Sequence, residues 1–207
     1  SAAGVPGTVA GLIHALEQYG TLDLKTVMQP AIDLAEKGFA VPAALHLNLR
    51  SAAKRLGRNE EANRIYLGGT GTAPAMGTLF KQPDLAATLK LVRDKGFDGF
   101  YKGKTATLIA AEMQRGGGVM NADDLASYRA IEREPVRASF RGYDIVSAPP
   151  PSSGGVHVSQ ILKLLEPYPI EDMGHNSAAY LHLLIESMRL AYADRSEYLG
   201  DPDRTTI

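Results

Sequence analysis

The chain has 207 residues, 44% hydrophobic and 22% charged, with a formal net charge of −1. That is enough chain to bury a core, at an ordinary composition, and it gives no electrostatic ground for binding nucleic acid or an anionic membrane. The absence of cysteine excludes disulfides, thiolate metal sites and a cysteine nucleophile, and no apolar run reaches the ~18 residues of a transmembrane helix.

Gly4-Val5-Pro6-Gly7-Thr8 reads as a turn into a helix whose Val9, Leu12, Ile13 and Leu16 share one face, with Gly20 as C-cap. Asp23 caps a second helix carrying Leu24, Val27 and Met28, which Pro30 breaks or restarts before Ile32, Leu34 and Ala35 lead to Gly38. A third helix is expected over residues 42–56, then a Gly- and Thr-rich loop over 67–77. Pro83 to Lys95 reads as a helix stopped by Gly96, followed by an aromatic turn at Phe97, Phe100 and Tyr101, and another helix over 104–115. Asn121 with Asp123 and Asp124 marks a further N-cap and first turn, acidic groups suiting the positive helix end.

The period then changes. Glu132 to Phe140 alternates like a strand, interrupted at Pro135, and Tyr143 to Ser147 has β-branched and aromatic content; with Arg141-Gly142 between them they read as a hairpin or two adjacent strands. Two strands do not hold a sheet unaided, so their partner strands are expected outside the chain. An apolar helix from Val156 to Leu165 follows. The last element, from about Ser177 to Leu199, is apolar on nearly every side and is expected to be buried. The fold class is therefore α+β, predominantly helical, read as one domain over residues 1–207.

Few residue patterns carry chemistry. His14, His157, His175 and His182 show no metal-ligand spacing, and Gly68-Gly69-Thr70-Gly71-Thr72 lacks the Gly-Lys-Ser/Thr ending of a phosphate loop, so it reads as surface loop. Pro149-Pro150-Pro151-Ser152-Ser153-Gly154-Gly155 ends at a helix start. Its free N–H groups suit a carboxylate or oxyanion, and its plainer reading is rigid strand-to-helix punctuation with Ser as cap. Asp194-Arg195, near the end of the apolar helix, reads either as a functional pair or as a structural ion pair, because unpaired buried charge is costly.

Taken in order, several stretches resemble one family. Gly4-Val5-Pro6-Gly7-Thr8-Val9-Ala10-Gly11, Gln29-Pro30-Ala31, Phe100-Tyr101-Lys102-Gly103, Asp124-Leu125-Ala126-Ser127-Tyr128, Arg141-Gly142-Tyr143 with the Pro149 to Gly155 stretch, and Tyr192-Ala193-Asp194-Arg195-Ser196 with Leu199-Gly200-Asp201-Pro202 are similar to the large subunit of γ-glutamyltranspeptidases. The resemblance implies part of an αββα N-terminal-nucleophile hydrolase fold. It also implies a precursor that cleaves itself into two subunits, and a small-subunit N-terminal Thr that attacks the γ-glutamyl amide of glutathione or a relative. It implies no metal or organic cofactor, a small subunit as partner, and a periplasmic or secreted setting.

The family's T-T-H-x-S-V-like start, its small-subunit Asp and Ser pair and its upstream carboxylate-binding Arg are absent from the sequence. No catalytic or substrate-binding residue is thus assigned to this chain. The motif residues Pro149, Pro150, Pro151, Ser152, Ser153, Gly154, Gly155, Asp194 and Arg195 are expected to be structural. An isolated piece of this kind is expected to be inactive, and either to self-associate or to be locally disordered over residues 132–148. The alternatives are a cephalosporin acylase or a poly-γ-glutamate-cleaving relative of the same fold, or a non-catalytic scaffold. The chain opens on Ser1 without Met and shows no signal-peptide pattern, which leaves a removed leader open.

Overall fold

A computed structural model describes residues 3–203; the opening Ser1 and Ala2 lie outside the described residues. Among the described residues helices dominate, with two separate two-stranded antiparallel sheets. The chain divides into two compact units, Ser1–Ala130 and Ile131–Ile207.

The first unit holds α1 (Thr8–Tyr19), α2 (Leu24–Lys37), β1 (Phe39–Ala40), α3 (Ala43–Leu56), α4 (Glu60–Leu67), β2 (Leu79–Phe80), α5 (Pro83–Lys95), α6 (Asp98–Tyr101), α7 (Gly103–Arg115) and α8 (Ala122–Ser127). Most predicted starts and stops hold. Asp23 accepts the Thr26 N–H at 2.8 Å. Asn121 and Asp124 close a capping box on α8. Pro30 departs from the reading: α2 runs through it unbroken. Ile32 and Ala35 are buried beyond the proline and α2 packs along α5, so tertiary burial offsets the lost backbone hydrogen bond. The sequence reading also missed α4, which is short, and the β1–β2 pairing of Phe39 with Phe80 and Ala40 with Leu79.

Tyr101 is the centre of this unit, at 0% exposure. Its ring stacks on Phe97 at 4.3 Å and on Tyr128 at 5.6 Å. Its hydroxyl donates to the Pro6 carbonyl at 2.6 Å and accepts the Ala10 N–H at 3.1 Å. The N-cap of α1 is Gly7, which has no side chain to offer. A tyrosine 91 residues along the chain therefore satisfies a first-turn donor that a local cap would otherwise take.

The second unit holds β3 (Val136–Phe140), β4 (Tyr143–Ser147), α9 (Gly154–Leu165), a 3₁₀ turn (Ile170–Asp172) and α10 (Ala178–Tyr198). The hairpin register pairs Val136 with Ser147 and Phe140 with Tyr143. Arg141 at φ 48° and Gly142 at φ 85° form its two-residue turn, the handedness that matches strand twist. The strand begins only after Pro135, which cannot donate to the ladder. The helix α9 lies against both strands on one side and α10 on the other.

Contrary to expectation, α10 is not buried. Only Ser187 and Ala191 are, because one narrow face meets α9, while Leu181, Ile185, Met188, Leu190, Tyr192 and Tyr198 are exposed.

Candidate functional site

The proline–serine–glycine stretch joins β4 to α9. Pro149 to Ser152 make a turn in which the Ser152 N–H donates to the Pro149 carbonyl at 3.1 Å; the Pro150–Pro151 peptide is cis. Ser153 stands at the N-cap of α9, but its hydroxyl makes no capping bond. Its backbone is already helical (φ −81°, ψ −15°) rather than extended, which removes the side-chain reach a serine cap uses. Gly155 has the clearest requirement. A Cβ there would stand 2.4 Å from the Ala148 carbonyl oxygen and 3.0 Å from Ser147 Cβ. Only glycine lets the first turn of α9 abut the end of β4, whereas Gly154 is free of such a contact, its nearest neighbour being Ser152 Oγ at 3.8 Å.

Asp194 and Arg195 are both exposed. Asp194 accepts the side-chain amide of Gln160 on α9, and among the described residues no ion pair joins it to Arg195. The expected structural ion pair is not formed because this end of α10 is solvated, so no desolvation penalty demands one. One turn away, His157 is buried with its ring 5.2 Å from that of Tyr192. Its Nε2, like Ser159 Oγ, has no hydrogen-bond partner among the described residues.

Arg141, which the sequence reading placed only in the hairpin turn, organises a polar cavity of about 410 Å³ lined also by Ile170, Glu171, His175 and Tyr180. Its guanidinium donates to Glu171 at 2.7 Å and to the Tyr168 carbonyl at 2.6 Å, and its backbone N–H donates to Glu166 at 3.0 Å. Glu171 is held below the usual carboxylate range chiefly by that guanidinium, and Glu166 chiefly by Lys163. The arginine is thus already engaged. It clamps the hairpin turn to the segment after α9 rather than presenting a free cation to a ligand.

In the first unit, the glycine loop after α4 folds on itself. Asn63 Oδ1 accepts the Gly71 N–H at 3.0 Å, and Thr70 donates to the Leu67 carbonyl at 2.8 Å, so its donors are turned inward, as a surface loop requires. A second concavity, about 550 Å³, lies between α1, α2 and α5 and is lined by Val9, Leu12, Leu16, Val27, Leu89 and Phe100 among others. Leu12, one of the four apolar residues at helical spacing on α1, is 67% exposed at its rim. The groove is apolar and lacks the few convergent polar groups of a small-molecule site.

Against this geometry, the profile of the family described as Gamma-glutamyltranspeptidase matches residues 1–207. The glutathione hydrolase proenzyme of Escherichia coli is 45% identical over 202 residues, covering 98% of this chain and 35% of that protein. The Acylase ACY 1 proenzyme of Pseudomonas sp. SE83 is 43% identical over 202 residues, with 97% and 36% covered. The crystal structure of Helicobacter pylori gamma-glutamyltranspeptidase superposes with a TM-score of 0.93 at 42% identity, covering all of this chain and 59% of that one.

The fold is that of the N-terminal-nucleophile hydrolases of this kind, and the chain belongs to the γ-glutamyltranspeptidase family. It spans about a third of the length of the curated relatives it matches. No helix among the described residues is long and apolar enough to cross a membrane.

Proposed function

We propose that this chain is an internal part of the large subunit of a precursor that hydrolyses or transfers the γ-glutamyl group of glutathione and related compounds. The observation that carries the proposal is a family match along the whole chain that covers only 35% of a glutathione hydrolase proenzyme. In this reading the nucleophile is the N-terminal Thr of a small subunit released by self-cleavage. Its hydroxyl attacks the γ-glutamyl carbonyl, its own α-amine takes the proton, and the amine leaving group departs with a proton. Water or an acceptor amine then releases the acyl group. The residues of this chain hold the scaffold: Tyr101 anchors α1, Gly155 seats α9, and Arg141 clamps the hairpin. The 1–207 chain is one partial large-subunit domain completed by the rest of the precursor, which acts in the periplasm or outside the cell. The near-equal identity to an acylase proenzyme supports a second reading, an acylase of the same fold, because this region is shared by both and the substrate is chosen elsewhere.

The test is turnover of γ-glutamyl-p-nitroanilide. The precursor encoded by the complete gene is expected to release p-nitroaniline, and the isolated 1–207 chain none above buffer. Turnover by the isolated chain that survives repurification refutes the placement of the nucleophile. A precursor that cleaves itself but acts only on an acyl side chain such as that of a cephalosporin favours the acylase.

A further inference from the structure

We infer that the outward face of α3 is a docking surface for the phosphate headgroups of an anionic lipid surface. The inference goes beyond the proposed activity and does not depend on it.

Helix α3 turns Leu49 inward, where it is buried, with Leu45, Ala52 and Leu56 half-buried beside it. At about 100° per residue these four share one face, and Arg50 and Lys54 lie about half a turn away on the other. Both are exposed, as is Arg55 beside them. Arg58, also exposed, extends the row just past the C-cap Gly57, whose backbone is still helical at φ −64° and ψ −12°. Leu47, on the same outward side, is 49% exposed. The helix contains no Asp or Glu. Among the described residues no carboxylate pairs with Arg50, Lys54, Arg55 or Arg58. Elsewhere Lys37, Arg64, Arg115 and Arg189 each hold a carboxylate three or four residues away on their own helix. Neutralising the negative end of the helix accounts for Lys54 and Arg55, which stand in its last turn, but not for Arg50. The net charge of −1 averages this local concentration of cations away.

The occupant follows from charge and spacing. Arg50, Lys54 and Arg58 advance four residues at a time, about 6 Å a step. One small anion bridges two neighbours at most, whereas an array of separate anions meets the whole row. Guanidinium forks match the oxygens of phosphate. Leu47 adds an apolar side chain beside the cations, the combination with which a surface helix settles among headgroups and acyl chains. A lipid surface offers phosphates and hydrocarbon together; a nucleic acid offers the phosphates and leaves Leu47 in water.

The test is sedimentation of the full precursor with vesicles of phosphatidylcholine alone and of phosphatidylcholine mixed with phosphatidylglycerol. The precursor is expected to bind only the anionic vesicles and to be released at ~1 M salt, where the screening length falls to ~3 Å. The triple variant Arg50→Gln, Lys54→Gln, Arg58→Gln is expected to bind about a hundredfold more weakly, at roughly fivefold per cation. Lys25→Gln, Lys81→Gln, Lys104→Gln removes the same charge from exposed positions elsewhere and should bind nearly as the parent does. Lys54→Glu alone repeats the measurement should the first triple variant fail to fold by circular dichroism. Absence of binding, equal loss in the two triple variants, or parental binding by the α3 variant each overturns the inference. Duplex DNA that displaces the vesicles assigns the row to nucleic acid, and inorganic phosphate that displaces them better than chloride at equal ionic strength assigns it to free phosphate; either also overturns it. Sedimentation is read independently of p-nitroaniline release, so a precursor that binds the vesicles but lacks γ-glutamyl turnover refutes the proposed activity and leaves the docking surface standing.

Discussion

Tyr101 does for α1 what its own cap cannot, and removing that hydroxyl leaves the N–H of the buried Ala10 without its partner. Tyr101→Phe is expected to destabilise the chain by about 1–3 kcal/mol, read as a fall in the urea midpoint with unchanged slope. Burial pushes the Tyr101 phenol above its ordinary value, with Tyr128 adding to the rise and the Ala10 N–H opposing it. A raised phenol binds its proton more tightly folded than unfolded. The stability this contributes is complete below the unfolded value near 10 and is lost as pH rises beyond it. Urea midpoints across about pH 8 to about pH 11 should fall more steeply in the parent than in Tyr101→Phe; identical slopes count against the linkage. Gly155→Ala places a methyl against the Ala148 carbonyl at 2.4 Å. It should cost about 1–3 kcal/mol through forced displacement of α9, whereas Gly154→Ala, with only a 3.8 Å contact to Ser152 Oγ, should leave the midpoint nearly unchanged. Equal effects from the two would refute the close-approach account.

At the scale of elements, α5, the β3–β4 hairpin and the cap of α8 were legible because each rests on local signals: Pro at a helix start, a turn pair with positive φ, and Asn with Asp at capping spacing. Elements that depend on distant partners were not legible. β1 and β2 are two residues each and exist through the Phe39–Phe80 pairing across the chain. Pro30 reads as a breaker until Ile32 and Ala35 are seen to be buried. Apolar composition on α10 argues for burial, but it cannot say whether the cover lies within these residues. The candidate site shows the same division. The Pro149 to Gly155 motif was visible as a motif, while the engagement of Arg141 by Glu171 and Tyr168 depends on the path of the chain after α9. The hairpin also carries its own test. Among the described residues β3 and β4 pair only with each other, so amides directed at the partner strand should resist exchange and those directed outward should exchange rapidly. Uniform protection across residues 136–147 would show that both edges are covered.

On the scale of the whole molecule, exposed apolar surface recurs in both units: the groove edged by Leu12, Val27 and Leu85 in the first, and the exposed apolar residues of α10 in the second. Contiguous apolar surface of this kind is what a chain ordinarily covers with protein. The isolated chain is therefore expected to self-associate, seen as scattering mass that rises with concentration; a strictly monomeric species at high concentration argues against it. Tyr101 has one more consequence, for the order in which the chain acquires structure. Its bond to the Pro6 carbonyl spans 95 residues, and closing so long a loop precedes any return from the contact. As the polypeptide leaves the ribosome, α1 must wait, unanchored, for about five seconds or more until residue 101 emerges, at the pace of ~5–20 residues per second. Ribosome-bound chains halted before Tyr101 should yield to protease within α1, and chains halted well beyond Tyr128 should not.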